Sequence, residues 1–242
     1  MKRCGFFYLA VVFLCFASLN APAQRKEISK EEYYKVIQSA ERNTKNYPYR
    51  INGESKTFRE NEKRPFELVK RLYEFQPNNG SRFVSEAKNA ARNNVKTIEI
   101  IELGRFQYTR INNGPWQSRR IHGFDNLPVG SIWRFEDEKF YLTENVKFKN
   151  RKANLYEYAA GTKVFRFQIE GAPPLKSIKI RHAEKRWISA DGLMLKVEII
   201  SDALPIMNLE NSLTCNISSY EYDSKIKIKA PIPEPKSDFT VY

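Results

Sequence analysis

The sequence predicts a mainly β fold with minor α content (α+β): one helix, then a large curved antiparallel sheet of about eleven strands. Three observations carry this. Apolar and polar residues alternate with period two, as in Thr97–Trp116, where Ile98 and Ile100 share one face of a strand and Phe106 and Tyr108 share one face of the next. Turn residues recur at short intervals: Asn78-Asn79-Gly80, Leu103-Gly104, Asn112-Asn113-Gly114, Gly161 and Asp191-Gly192. Strand–helix alternation is absent, so the order is a meander and not a parallel doubly wound sheet.

Residues 1–23 read as a targeting segment. Lys2 and Arg3 form a charged start, Phe6–Phe16 an apolar run, and Ala21-Pro22-Ala23 a small-residue cleavage site ahead of Gln24. The run is about half the ~20 residues that span a bilayer. Bulky Phe13 and Leu14 before Cys15 depart from a bacterial lipoprotein signal. The expectation is a periplasmic or secreted monomer in which residues 24–242 form a single domain.

The mature chain opens on an amphipathic helix. Ser29 and Glu32 have the spacing of a capping box, and Tyr33, Val36, Ile37 and Ala40 form one apolar stripe that ends at Asn43–Pro48. Strand signals follow near 49–60, 65–76, 95–103, 105–112, 139–149, 152–159, 163–170, 175–183, 185–190, 193–202 and 214–229. Arg82–Asn93 carries both patterns. Phe83, Val84, Ala87, Ala90 and Ala91 fit a helix, but its neighbours are strands, so a strand from Arg82 is expected. His122–Gly130 is a loop, Ser131–Glu136 a short helix, and the prolines of Ala230–Lys236 bar a central strand.

Composition excludes several functions. The net charge is +13, or +11 once Lys2 and Arg3 leave, which favours anionic partners such as a membrane surface. Export argues against nucleic acid. Lys225, Lys227 and Lys229 alternate with Ile226 and Ile228 as on a strand's solvated face. Cys215 alone survives signal removal, so no internal disulfide forms, and a small apolar role suits it better than a nucleophile's. The only histidines, His122 and His182, lack partner motifs. Glu136-Asp137-Glu138 lacks EF-hand spacing, and no P-loop, nucleophile elbow or dinucleotide fingerprint occurs. The reading is a non-enzyme with no metal and no cofactor.

Aromatic residues make up 13% of the chain and many alternate along strands: Phe106/Tyr108, Phe165/Phe167 and Tyr220/Tyr222. Either they fill the core, or a sheet too wide for one helix keeps its concave face open for an apolar guest. Burial of apolar area is worth about 25 cal/mol per Å², so an uncovered face calls for a ligand or partner.

Three segments then resemble the bacterial lipoprotein-carrier superfamily, which includes LolA, LolB and the mycobacterial LppX/LprG-type lipid-binding proteins. Ile98–Trp116 is similar to that group's pattern through Gly104, Tyr108, Arg110, Gly114 and Trp116. Trp187–Val197 is similar to its late Asp-Gly hairpin, and Tyr220–Pro231 to its closing strand. The resemblance implies a half-barrel whose concave side takes acyl chains of a lipid or lipoprotein beneath the helix and a loop or short helix. The expected apolar lining is Ile98, Ile100, Phe106, Tyr108, Phe165, Phe167, Ile178, Ile180 and Trp187. The expected lid is Ile132, Trp133 and Phe135. The group's lid-locking arginine has no secure counterpart, although Arg50 follows the helix. The alternative is an envelope sensor or binding module with a filled core and a protein partner.

Overall fold

A computed structural model describes residues 24–59, 63–89, 94–120, 136–161, 182–202, 212–233 and 239–241. The targeting segment, the 163–170 strand, most of the 175–183 strand, the His122–Gly130 loop and the short helix after it lie outside the described residues. The elements are β1 (Arg25–Glu27), α1 (Lys30–Thr44), β2 (Tyr49–Arg59), β3 (Glu67–Gln76), β4 (Gly80–Asn89), β5 (Asn94–Leu103) and β6 (Phe106–Ile111). They continue as β7 (Gln117–Arg120), β8 (Glu136–Phe148), β9 (Arg151–Gly161), β10 (His182–Ser189), β11 (Met194–Asp202), β12 (Ser212–Tyr222) and β13 (Phe239–Val241).

Among the described residues thirteen strands form one open antiparallel sheet, in the order β1-β8-β9-β10-β11-β12-β2-β3-β4-β5-β6-β7-β13. This is the expected mainly β half-barrel with one N-terminal helix. It is made of two meanders, β8–β12 and β2–β7, joined where β12 pairs β2 from Ser212↔Arg59 to Tyr222↔Tyr49. β4 settles the ambiguous Arg82 segment as strand, because β3 and β5 pair with it on both sides and override its helical pattern. β1, β7 and β13, of three to four residues each, are too short to show a period in sequence.

Two turns follow their chemistry closely. Gly104 sits at φ 55° between β5 and β6, and Asn112 and Asn113 at 50° and 57° after β6. Asn112 also locks the turn to β5: its side-chain oxygen accepts the Thr97 N–H at 2.9 Å. Gly80 is required for space, since a Cβ there would sit 1.9 Å from the Glu102 carbonyl oxygen.

Strand register defines two faces. On one lies α1. Ser29 caps it, its hydroxyl accepting the Glu32 N–H at 3.0 Å, and the predicted stripe of Tyr33, Ile37 and Ala40 is buried. These side chains pack on Phe140, Leu142, Tyr156, Tyr158, Ala160, Ile188 and Met194 from β8 to β11. Tyr33 is the centre, with its ring 5.1 Å from Phe140 and 6.2 Å from Tyr158.

The opposite face carries the chain after β12. The expected 214–229 strand ends at Tyr222; residues 223–233 leave the sheet and cross it as a strap. Ile226 and Ile228 press into the sheet against Ile101 and Tyr108, with Leu103, Phe106, Trp116 and Ile232 around them. Gln76 and Asn79 fix the crossing: the Ile228 N–H donates to Gln76 Oε1 at 3.0 Å, and Asn79 Nδ2 donates to the Ile228 carbonyl at 3.0 Å. Lys225, Lys227 and Lys229 are exposed, so the alternation was sound but belongs to a strap and not to a paired strand.

Beside the strap, a charge ladder crosses five strands. Arg50 donates to Glu74 at 2.6 Å, and Arg82 bridges Glu74 at 3.3 Å and Glu99 at 2.8 Å. Arg110 donates to Glu99 at 2.7 Å and lies over the Trp116 ring at 4.7 Å. Glu74 and Glu99 are only 8% and 5% exposed, yet each carboxylate has two guanidinium partners, which is the condition for burying it.

Glu99→Ala strands Arg110 on this face and leaves Arg82 with Glu74 alone. It should lower stability by about 2–3 kcal/mol in urea titration, as expected for lost charge-assisted bonds at a buried carboxylate. Ile228→Ala should cost about 2–4 kcal/mol by the same measurement, through the cavity left beneath the strap.

Candidate functional site

The register separates the residues expected to line a single surface. Leu103 pairs Phe106 and Ile101 pairs Tyr108, so Phe106 and Tyr108 share a face with Ile101, Leu103 and the strap. Ile98 and Ile100 lie between those positions and face the helix side. Trp187 pairs Lys196 and belongs to the strap side, where the Lys196 ammonium sits 4.8 Å from its ring. The five residues therefore do not form one lining. Phe165, Phe167, Ile178, Ile180, Ile132, Trp133 and Phe135 lie outside the described residues. Arg50 is a ladder residue on the strap face.

What the structure does assemble is an apolar row on the helix face. Tyr220 of β12 pairs Ile51 of β2, which pairs Tyr73 of β3. Tyr73 pairs Phe83 of β4, and Phe83 pairs Ile100 of β5. All five are half-buried. At ~4.8 Å between strands the row is about 19 Å wide. It starts at the margin of the α1 core, where Tyr220 touches that cluster, and runs away from the helix, which packs on β8–β11. Beyond Ile100 it ends at Thr109 of β6.

Tyr49 joins row and core. Its buried ring lies 6.0 Å from Tyr73, 5.2 Å from Phe75, 5.9 Å from Tyr220 and 6.3 Å from Tyr222. Burial pushes its hydroxyl far above the ordinary tyrosine range. Tyr222 donates to the Met194 carbonyl at 2.7 Å and shares a 3.1 Å bond with Thr44. Burial raises its hydroxyl to about 12, so it stays protonated and binds as a neutral donor. Of the row, Tyr220 and Ile100 stand in segments the sequence singles out. Ile51, Tyr73 and Phe83 were missed because their shared row exists only through cross-strand pairing.

Under α1 the helix face also holds a polar cluster. His182 Nε2 lies 2.9 Å from Glu184 Oε1. Arg186 donates to Glu184 at 3.0 Å and to Glu41 of α1 at 3.0 Å. Burial works against the Glu184 charge, but the His182 bond and the Arg186 guanidinium prevail and hold its carboxyl below the ordinary range. Burial likewise pushes the neighbouring Tyr33 hydroxyl up, with Glu184 adding to it. The cluster pins α1 to β10, with every carboxylate committed to a cation. Among the described residues no three His, Cys, Asp or Glu side chains gather to hold a metal ion.

A groove of about 450 Å³ lies on the strap face between β12 and β4. Glu54, Lys70 and Glu86 ring a small apolar floor of Leu72, Val84 and Ile217. Its walls are charged, and it is open to solvent on the face opposite the apolar row.

No family profile matches the chain, and no curated protein matches its sequence. Solved structures do. LprF from Mycobacterium bovis aligns over 86% of this chain and all of its own, at 13% identity and TM-score 0.42. A LolA superfamily protein from Nitrosomonas europaea aligns over 78% and 91%, at 12% identity and TM-score 0.28. A proposed outer membrane lipoprotein-sorting protein domain from Vibrio parahaemolyticus aligns over 82% and 95%, at 10% identity and TM-score 0.30. They come from the group that the three sequence segments resemble. With TM-scores below 0.5 and identities below 25%, they assign neither ligand nor partner. Among the described residues no helix is long and apolar enough to cross a membrane.

Glu184 sets a pH dependence. Its native value lies below the ordinary 4.5, so its contribution is complete above that pH and is lost as pH falls through the lowered native value. Glu184→Gln should be destabilised relative to wild type at pH 7. The difference should narrow progressively below the ordinary carboxylate value in urea titrations repeated down the acid range.

Proposed function

We propose that this protein is a non-catalytic carrier that shields the acyl chains of a lipid or lipoprotein against the Tyr220–Ile51–Tyr73–Phe83–Ile100 row, and that it works in the periplasm or outside the cell after removal of residues 1–23. One observation carries the reading: an apolar row five strands wide on the helix face, outside the helix's footprint. Such a surface suits a guest that needs no directional bonds. A buried methylene is worth about 0.8 kcal/mol, so ~10 of them laid along the row gain about 8 kcal/mol before the costs of association. Glu184 and Glu41 under α1 are engaged in ion pairs that hold the helix on the sheet, which suits a structural role for them. The three sequence segments similar to lipoprotein carriers point the same way.

Mass spectrometry of organic extracts from protein purified out of a bacterial envelope should find acyl lipids. A fluorescent fatty acid should bind, and Phe83→Asp should weaken that binding by about tenfold or more, since one charge would then sit at the middle of the row. Lipid-free protein from several preparations that also ignores the fatty acid overturns the carrier and favours the filled-core module with a protein partner.

A further inference from the structure

In an antiparallel meander the turns fall at two ends. The end at which β2 begins collects the α1–β2 link, the turns after β3, β5, β8 and β10, and the start of the strap. Exposed cations gather there: Lys225, Lys227 and Lys229 on the strap, and Lys149, Arg151 and Lys152 on the β8–β9 hairpin. None of the six has an ion-pair partner among the described residues. Some lysines borne by the strands are paired, Lys26 with Glu144, Lys56 with Glu54, Lys185 with Glu157 and Lys196 with Glu198, whereas Lys70, Lys88 and Lys96 stand exposed at scattered strand positions. The acids near this end are few. Asp191 and Glu221 are exposed, Glu102 accepts from the Gln107 amide at 2.8 Å, and Asp223 accepts the Lys225 backbone N–H at 2.9 Å.

The strap lysines are fixed by what lies between them. Ile226 and Ile228 are each 6% exposed and point into the sheet, which leaves Lys227 and Lys229 facing solvent, while Lys225 is exposed in the turn that the Ile226 N–H closes on the Asp223 carbonyl. Charge is thus displayed from an ordered backbone, and docking needs no loop to be ordered first. Tyr47, 51% exposed at the same end, offers an apolar ring with a polar tip, the chemistry of a bilayer interface. The residues that interleave the lysines are buried aliphatics. They supply no stacking platform for unpaired bases, which sets this surface apart from a single-strand nucleic-acid groove.

We infer that this end of the sheet docks on an anionic lipid surface, with the strap lysines and the β8–β9 hairpin meeting the headgroups. Docking is independent of what the apolar row holds: chain without bound lipid associates equally well, so failure of either reading leaves the other standing.

Flotation of the purified chain with vesicles of equal parts phosphatidylglycerol and phosphatidylcholine tests this, against phosphatidylcholine vesicles alone. Association with the anionic vesicles should weaken steeply with added salt, and neutral vesicles should retain no protein. Each cation near such a surface contributes roughly fivefold in affinity, so Lys225→Gln/Lys227→Gln/Lys229→Gln together should lose about a hundredfold. The charge-matched Lys70→Gln/Lys88→Gln/Lys96→Gln, on exposed strand positions, should lose less than about tenfold, with circular dichroism confirming that both variants fold. Equal losses in the two triple variants, or equal binding to neutral vesicles, overturn the inference. So does tighter binding to single-stranded DNA or polyphosphate than to the vesicles, which would assign the surface to a soluble polyanion.

Discussion

A thirteen-strand open sheet has two faces to cover, and among the described residues a single helix to cover them with. The stripe on α1 reaches only the β8–β11 portion of one face. The strap packs over the β5–β6 portion of the other through two isoleucines. Between those patches, among the described residues, the sheet relies on its own side chains, and it does so differently on its two sides. On the strap side it places alternating charges in contact. On the helix side it leaves a row of half-buried apolar residues. The proposed function rests on this asymmetry: paired charge stabilises the strap side, and the apolar row lies on the other.

The charge ladder also explains why an antiparallel sheet can keep polar residues at well-buried positions. Glu74 and Glu99 each sit between two arginines, so neither is a lone buried charge, and the strap beside them excludes water from one flank. Long arginine stems add apolar cover of their own, as Arg110 shows where it lies on Trp116.

Much of this was legible in the residues. Ser29 and Glu32 announced the helix start, the Tyr33/Ile37/Ala40 stripe its buried face, and period-two alternation placed most strands to within a few residues. The strap is not legible in the sequence because a buried–exposed alternation looks alike whether the backbone pairs in a sheet or lies across one. The faces of Ile98/Ile100 and Phe106/Tyr108 were open to deduction: a two-residue turn at Gly104-Arg105 makes Leu103 face Phe106, which sets Ile101 and not Ile100 beside Tyr108. The row itself was beyond reach. It draws on five strands, and its first pairing, Tyr220 with Ile51, joins residues far apart in the chain.

That same pairing governs how the molecule comes to be. Each meander has hairpin neighbours close in sequence and can zip locally. The joint between β2 and β12 closes a loop of well over a hundred residues, the slowest kind of contact to form. Until Tyr222 is available, β2 has an unsatisfied edge of eleven residues, and such an edge invites pairing with a second chain. The chain's aggregation risk is therefore highest late in its production, at an interior strand that the finished sheet conceals.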